Sequence, residues 1–240
     1  MNSPAPRTGS ARRFDVAIRG AGVVGQTLAL LLARDRLRVA LVGSPRSPQD
    51  QPDVRAYAIN AASRELLRSV RAWPEVDPQD TRPTPITPVS AMQVWGDEGG
   101  ELQFSADDQG AEALTWIVDV PALEQRLSDA VGFQAGIECM SEAPPAALTV
   151  VCEGKRSQTR EELGLAFDVR PYAHKAVAAR LRCEQPHGGV ARQWFTQGEV
   201  MALRPLGGAQ GNSVALVWSV PAQQAQAWLQ ADPSTFTQAV

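Results

Sequence analysis

The chain has 240 residues, 44% apolar and 20% charged, with a formal net charge of -3. That length serves one large domain or two small ones, and the ordinary globular balance excludes a long disordered chain, a collagen or a coiled-coil rod. The slightly acidic balance also gives no global basic field of the kind that grips nucleic acid.

Residues 1–13 open on proline and small polar residues without an apolar period and read as a disordered tail. Arg12-Arg13 ahead of an apolar stretch resembles the start of a signal peptide, but Asp15 and Arg19 interrupt that stretch and Arg34-Asp35-Arg36 follows where a small-residue cleavage site belongs. No apolar run reaches the roughly 18 to 20 residues of a membrane span. Cys139, Cys152 and Cys183 are odd in number and widely spaced, without a C-x-x-C, which argues against a disulfide framework or zinc site and for a reducing cytoplasm.

The first folded segment reads as strand, glycine turn, helix and strand. Phe14-Asp15-Val16-Ala17-Ile18 is a short β-rich run, Gly20-Ala21-Gly22-Val23-Val24-Gly25 is G-x-G-x-x-G, residues 26–34 read as a buried helix, and Arg38-Val39-Ala40-Leu41-Val42 is the second strand. In that context Gly20 permits a tight turn, Gly22 admits a pyrophosphate to the backbone, and Gly25 lets the helix lie close to the strand. A phosphate then sits on the free amides at the helix start, with Ala21 and Val24 beside it. The bland alternative is a glycine turn that binds nothing. The acidic residue that usually closes the second strand and holds the adenosine ribose is missing: Gly43-Ser44-Pro45-Arg46 follows Val42. Asp50 or Asp53 is a replacement from the loop, and Arg46 reads as a solvated loop residue rather than a partner for a 2′-phosphate.

Next comes Asp53-Val54-Arg55-Ala56-Tyr57-Ala58-Ile59-Asn60-Ala61-Ala62-Ser63, leading to a helix with Leu66, Leu67 and Val70 on one face and Trp73 at its end. This run resembles the D-x-R-x-x-A-L-N-x-x-S segment of the FAD-dependent aromatic hydroxylases, most closely their ubiquinone-biosynthesis branch. The resemblance implies a place for Arg55 near the flavin, as a cofactor-binding or catalytic residue; its bland alternative is a structural pair with Asp53. Residues 92–104 then read as a β-hairpin about a Gly-rich turn. Residues 114–123 are similar to the family's return strand and following helix, with Val120 where the family commonly has a polar residue facing the cofactor. Finally, the run from Leu148 to Arg160 is similar to the family's strand ending in D-G-x-x-S-x-x-R, with glutamate at Glu153. There the resemblance implies that Glu153, Gly154 and Arg160 serve the flavin ribose and pyrophosphate region and NADPH use.

From residue 164 the chain changes to strand-like runs at 180–183, 191–195, 200–206 and 213–218, separated by glycine-bearing turns, which predicts an antiparallel sheet. In the family such a sheet is the floor over which substrate meets flavin, and Trp194, Phe195 and Trp218 are candidates to line an aromatic pocket, with core roles as the alternative for each. His174 and His187 are the only histidines, too few for a histidine metal site, and no metal is expected.

The expected fold is therefore α/β: a Rossmann-like, p-hydroxybenzoate-hydroxylase-like FAD-binding domain with an interleaved, mostly antiparallel substrate sheet. The FAD-binding domain is expected at 14–72 and 117–163, and a partial substrate domain at 73–116 and 164–240. The resemblance implies an FAD-dependent monooxygenase that uses NAD(P)H and O2 to hydroxylate an aromatic ring, with a polyprenylated phenol as the natural substrate. It also implies peripheral contact with the inner membrane and a complex with other ubiquinone-biosynthesis enzymes. Members of the family continue into a strand with a G-D motif and a G-x-N-x-G-x-x-D helix start that complete the flavin site, and no G-D-A-x-H segment occurs in these 240 residues, so the chain alone is expected to be inactive. A non-catalytic remnant or assembly partner, and a flavin or NAD(P) oxidoreductase without oxygenation, are the alternatives.

Overall fold

The computed structural model describes residues 14–43, 53–74 and 84–240. The expected tail at 1–13, with Arg46 and Asp50, lies outside them. In chain order the elements begin β1 (Phe14–Arg19), α1 (Val23–Arg34), β2 (Val39–Val42), β3 (Ala56–Ile59), α2 (Ala61–Ser69), β4 (Ile86–Val89), β5 (Ala91–Trp95) and β6 (Glu101–Ser105). They continue with β7 (Thr115–Asp119), α3 (Val120–Gly132), β8 (Ile137–Met140), β9 (Ala146–Val151), α4 (Gln158–Glu162) and β10 (His174–Arg182). The last are β11 (Val190–Thr196), β12 (Glu199–Leu206), β13 (Ser213–Pro221), α5 (Ala222–Gln230) and α6 (Pro233–Ala239).

Contacts divide the described residues into two compact units: 14–43, 69–72 and 124–167 form the first, and 53–68, 73–74, 84–123 and 168–240 form the second. This is a division by contact. The division by role expected from the sequence is a separate matter of what each segment binds.

The first unit holds a parallel sheet in the order β8-β2-β1-β9. Its two central strands are buried on both faces, as apolar strands flanked by crossovers must be, and Ala17, Ile18, Val39 and Ala40 are fully enclosed. Helix α1 starts at Val23, earlier than the expected residue 26, because Gly22 serves as its N-cap in extended backbone and the helix takes in the rest of the glycine motif.

The second unit contains two sheets. A three-stranded antiparallel sheet runs β3-β7-β4, and a six-stranded sheet runs β10-β13-β12-β11-β5-β6. The expected hairpin is present as β5 and β6, paired from Ala91↔Ser105 to Trp95↔Glu101. The larger sheet is antiparallel except where β11 lies parallel to β5, from Val190↔Ala91 to Trp194↔Trp95. Strands joined by short turns must be antiparallel, whereas this junction unites distant segments and is free of that constraint.

Alternation along the strands sorts the residues of this sheet onto two faces. Val177, Leu216, Trp218 and Val220 point to one, where Trp228 of α5 and Phe236 of α6 cover them. Leu206 and Ala215 point to the other, against Val89 and Ile117 of the small sheet. In α2, Leu67 is buried but Leu66 is 43% exposed, so the expected Leu66–Leu67–Val70 face is corrected to Leu67 and Val70. Adjacent helical residues diverge by about 100°, and only the i, i+3 pair shares a face. Among the described residues no helix is long and apolar enough to cross a membrane, and no group of three or more potential ligands is placed to hold a metal ion.

Leu216 is the anchor of the helix-covered face. Leu216→Ala should lower the unfolding free energy by about 2 to 5 kcal/mol, read from the urea midpoint at unchanged slope.

Candidate functional site

In the first unit the chain leaves β1 into the glycine turn. Gly20 has a φ of 114°, and a Cβ there would overlap the Cys152 carbonyl, so both backbone and space require glycine. A Cβ on Gly25 would overlap the Gly20 carbonyl, so the helix can lie this close only because Gly25 has no side chain. Gly22 differs: a Cβ there meets nothing within 4 Å, so its missing side chain leaves open space at the mouth of α1. The turn is held by Gly20 N–H donating to Val42 O at 2.8 Å and by Gln26 Nε2 donating to Ala21 O at 2.9 Å. The first-turn amides of α1 have no carbonyl within the helix to bond, and the helix dipole adds partial positive charge beside them. Val24, in that turn, is 69% exposed.

Where an acid was sought at the end of β2, Gly43 has a φ of 147° and a Cβ would lie 3.1 Å from Ala21 N. A side chain at this position would press on the glycine turn itself. Asp53, the other candidate, is engaged by Arg55 within the second unit.

Beyond β9 the chain makes a tight corner. Glu153 accepts hydrogen bonds from Ser157 Oγ at 2.7 Å, Thr159 N at 2.9 Å and Thr159 Oγ1 at 2.7 Å, and its carboxylate lies 3.6 Å from Arg19 Nε. Burial pushes the Glu153 carboxyl up, but the bonds from Ser157 and Thr159 and the charge of Arg19 outweigh it and hold the group below the usual glutamate range. Gly154 has a φ of 71° and Ser157 caps α4 by accepting from Arg160 N. The Arg160 guanidinium lies over the Phe167 ring at 4.3 Å and reaches Lys155 O at 3.3 Å. Arg19, which also reaches Glu162 at 3.3 Å, was not anticipated; it directly precedes the glycine motif, yet nothing local marks it as the partner of a residue beyond β9.

In the second unit Arg55 forms a two-pronged pair with Asp53, its Nε 2.8 Å from Oδ1, and its Nη1 reaches Tyr57 Oη at 3.3 Å. Arg180 of β10 donates to Asp119 Oδ2 at 2.6 Å and to the carbonyls of Val54, Asp53 and Arg55 at 3.4–3.5 Å. A clasp thus ties the start of β3, the end of β7 and β10 together. No local pattern marks Arg180 or Asp119, since their meeting depends on strands far apart in the chain. A cavity of about 570 Å³ opens beside the clasp, with Pro85, Pro121 and Leu206 as apolar wall and Thr84, Ser213, Arg180 and Arg182 as polar lining. Val120 at the start of α3 is completely buried.

The three aromatic pocket candidates do not converge. Trp218 is 6% exposed and tilts against Trp228 at 5.0 Å beneath α5, with its Nε1 donating to Glu199 at 2.9 Å. Trp194 stacks on Trp95 at 5.1 Å, and the register Trp194↔Met201↔Trp218 puts it on the same face as Trp218. Phe195 follows Trp194 in the strand, so it takes the opposite face, 39% exposed. One pocket lined by all three is therefore corrected: two of the rings belong to the helix-covered face.

No family model matches the chain. It is 27% identical over 229 residues to 3-demethoxyubiquinol 3-hydroxylase of Escherichia coli, an alignment covering 85% of this chain and 56% of that protein. It is 27% identical over 244 residues to ubiquinone hydroxylase UbiL of Rhodospirillum rubrum, covering 89% and 54%. The chain is a homologue of the ubiquinone hydroxylases. It spans little more than half the length of these curated relatives. Among solved structures it resembles PqsL, a probable FAD-dependent monooxygenase from Pseudomonas aeruginosa, with a TM-score of 0.73 at 20% identity over 90% of this chain and 63% of that one. A crystal structure of PqsL with 2-aminobenzoylacetate gives 0.74 at 19% identity, again over 90% and 63%. The homologue thus has the p-hydroxybenzoate-hydroxylase-like fold of FAD-dependent monooxygenases.

Two tests follow from the glycine turn and the corner. Gly22→Val should melt like the wild type but fail to quench FAD fluorescence on titration, whereas Gly25→Val should lose stability as well. Glu153→Gln should destabilise the protein at neutral pH. A carboxyl held low in the fold stabilises it above the ordinary glutamate value of about 4.3 and loses that contribution as pH falls through its lowered value. The midpoints of mutant and wild type should therefore converge in acid.

Proposed function

We propose that the protein is an FAD-dependent monooxygenase that hydroxylates an aromatic ring with NAD(P)H and O2, in the manner of the ubiquinone-biosynthesis hydroxylases. The observation that carries the reading is the open space at Gly22 against the amide-bearing start of α1, because a pyrophosphate needs both. These residues fit FAD. Gly20, Ala21, Gly22, Val24 and Gly25 hold its pyrophosphate end, while Glu153, Gly154 and Arg160 shape the corner for the ribose and for NAD(P)H. Arg55 is assigned to the neighbourhood of the flavin and substrate. By role, 14–72 with 117–163 bind the cofactor, and 73–116 with 164–240 hold the substrate.

When bound, FAD supplies the redox and oxygen-transfer chemistry. The chain's own tasks are to bind the dinucleotide, to orient the ring and to exclude water from it. The cavity beside Arg180 combines an apolar wall with a few polar groups, the usual make-up of a small-molecule site. A polyprenylated phenol is the substrate proposed, and its tail brings the enzyme to the surface of the inner membrane, where it meets other ubiquinone-biosynthesis enzymes.

A second reading, a non-catalytic assembly partner, is favoured by Gly43 in the place of the ribose acid and by the buried Val120 where a polar contact belongs. The two are separated by supplying the purified protein with FAD, NADPH, O2 and a phenol. Hydroxylated product detected by mass spectrometry, absent under nitrogen, supports the monooxygenase. Flavin reduction without such product supports a simple oxidoreductase, and copurification with complete hydroxylases without flavin binding supports the assembly partner. In an active preparation Arg55→Ala should reduce turnover at least tenfold while changing stability by about 1 kcal/mol or less, because a half-exposed ion pair contributes little to the fold.

A further inference from the structure

His187 is half-buried in the loop from β10 to β11, with both ring nitrogens engaged by backbone. The Gly189 N–H donates to Nδ1 at 3.0 Å, and Nε2 lies 3.0 Å from the Leu206 carbonyl. An amide N–H only donates and a carbonyl only accepts, so the ring is neutral, bare at Nδ1 and protonated at Nε2. A second proton, on Nδ1, would point at the Gly189 N–H and break that bond. The ring is rigid, so any rotation that parts the two N–H groups also swings Nε2 away from Leu206.

These bonds meet the cavity at one end. Leu206 and Gly207 line it, and Gly207 lies so close to Thr84, across the same lining, that a Cβ there would overlap the Thr84 carbonyl. At the other end Gly189, with a φ of 73°, accepts from Ser90 N at 2.9 Å just before β11 and β5 pair from Val190↔Ala91. His187 thus ties the cavity wall to the parallel junction of the larger sheet. The titratable and charged groups on the elements around the ring are Glu184 in its own loop, Arg182 on β10, Arg192 on β11, Arg204 on β12, and Asp107 and Asp108 after β6. Among the described residues none of these makes a hydrogen bond or ion pair with the ring, so backbone alone sets its protonation state in the closed arrangement.

We propose that His187 is a positioning residue of the cavity, a latch that holds Leu206 and Gly207 against Thr84 while its ring is neutral and releases them when Nδ1 takes up a proton. This rests on the reading of the cavity as the ring-binding site. Ligand is bound with the latch closed, so acid weakens binding through the wall rather than through any group that touches the ligand.

The test is an NMR titration of the 15N-labelled full chain with phenol at about pH 8 and about pH 5, a range in which histidine ordinarily changes charge. Phenol itself stays neutral there, since phenolic groups ionise near about pH 10. The ring nitrogens of His187 report its tautomer in the same samples, with the exposed His174 as reference. Phenol affinity should fall about three- to tenfold from the higher to the lower pH, the worth of about one hydrogen bond, in step with protonation of His187 and with shifts of the Leu206, Gly207 and Thr84 amides. His187→Gln keeps a donor for Leu206 and takes up no proton, so it should bind close to the wild-type affinity at the higher pH and lose none of it in acid. His187→Ala should bind weakly at both, and His174→Gln should follow the wild type. A residue that merely stabilised its loop would lower the melting temperature and leave the pH profile of binding unmoved. Equal wild-type affinity at the two pH values, or the same loss in acid for His187→Gln, overturns the inference while leaving the ring site intact. If phenol shifts no cavity amide at either pH, the ring site fails and the inference with it.

Discussion

The first unit depends on one close approach: helix α1 against the carbonyl of Gly20 at Gly25. Removing that side chain lets the helix lie on the strand it follows, and the helix start is then directed at the turn rather than past it. Everything assigned to the cofactor follows from this geometry, because free amides and a helix dipole attract an anion only where backbone and ligand can meet. Gly20 contributes the sharp exit from β1 and Gly22 the open space. A single methyl group thus has three different consequences at the three glycines: strain and collision at Gly20, collision at Gly25, and occupation of the open space at Gly22.

The β9 corner is built on a different principle. β9 is a largely exposed edge strand, but the Glu153 side chain beyond it is only 19% exposed, and a carboxylate so placed is costly unless bonded; Ser157 and Thr159 satisfy it locally, with Arg19 alongside. Its role in any cofactor site is consequently one of position. It fixes the turn that contains Gly154 and the cap of α4 that orients Arg160, and the depressed carboxyl keeps this arrangement charged at neutral pH. Cys152, next to it, has its thiol pushed up by burial, which suits a residue that supplies a backbone carbonyl over Gly20 rather than a reactive sulfur.

Much of this was legible in the sequence because the signals are local. The strand, glycine turn, helix and strand were readable from three glycines with distinct backbone needs, and the β5–β6 hairpin from alternation about a Gly-rich turn. The four strands of 174–221 were readable from β-rich runs and turn residues, with ends misplaced by several residues at β10. What was not legible depends on register between distant strands. No local pattern announces that β11 joins β5 in parallel, that Arg180 meets Asp119, or that Arg19 meets Glu153. The aromatic pocket failed for a related reason: composition identifies large rings, but only strand parity and neighbouring helices decide which face receives them.

That parity gives the larger sheet two unlike faces. On one, Trp218 and Trp228 tilt against each other and Phe236 meets both edge to face, and the Trp218 indole N–H, which would be costly to bury alone, is satisfied by Glu199. The opposite face has the small sheet over Leu206 and Ala215 but carries Phe195, Phe104 and Leu102 exposed. This second face combines the buried Leu206 and Ala215 with the polar side chains at the end of β10. Arg180 and Arg182 stand there beside the cavity without disturbing the buried cluster that stabilises the strands. The separation is incomplete: Leu206 lines the cavity and also packs in the buried cluster with Val89, Ile117 and Ala215, so a change at Leu206 reaches the fold, whereas the exposed Arg182 two strands away belongs to no buried cluster.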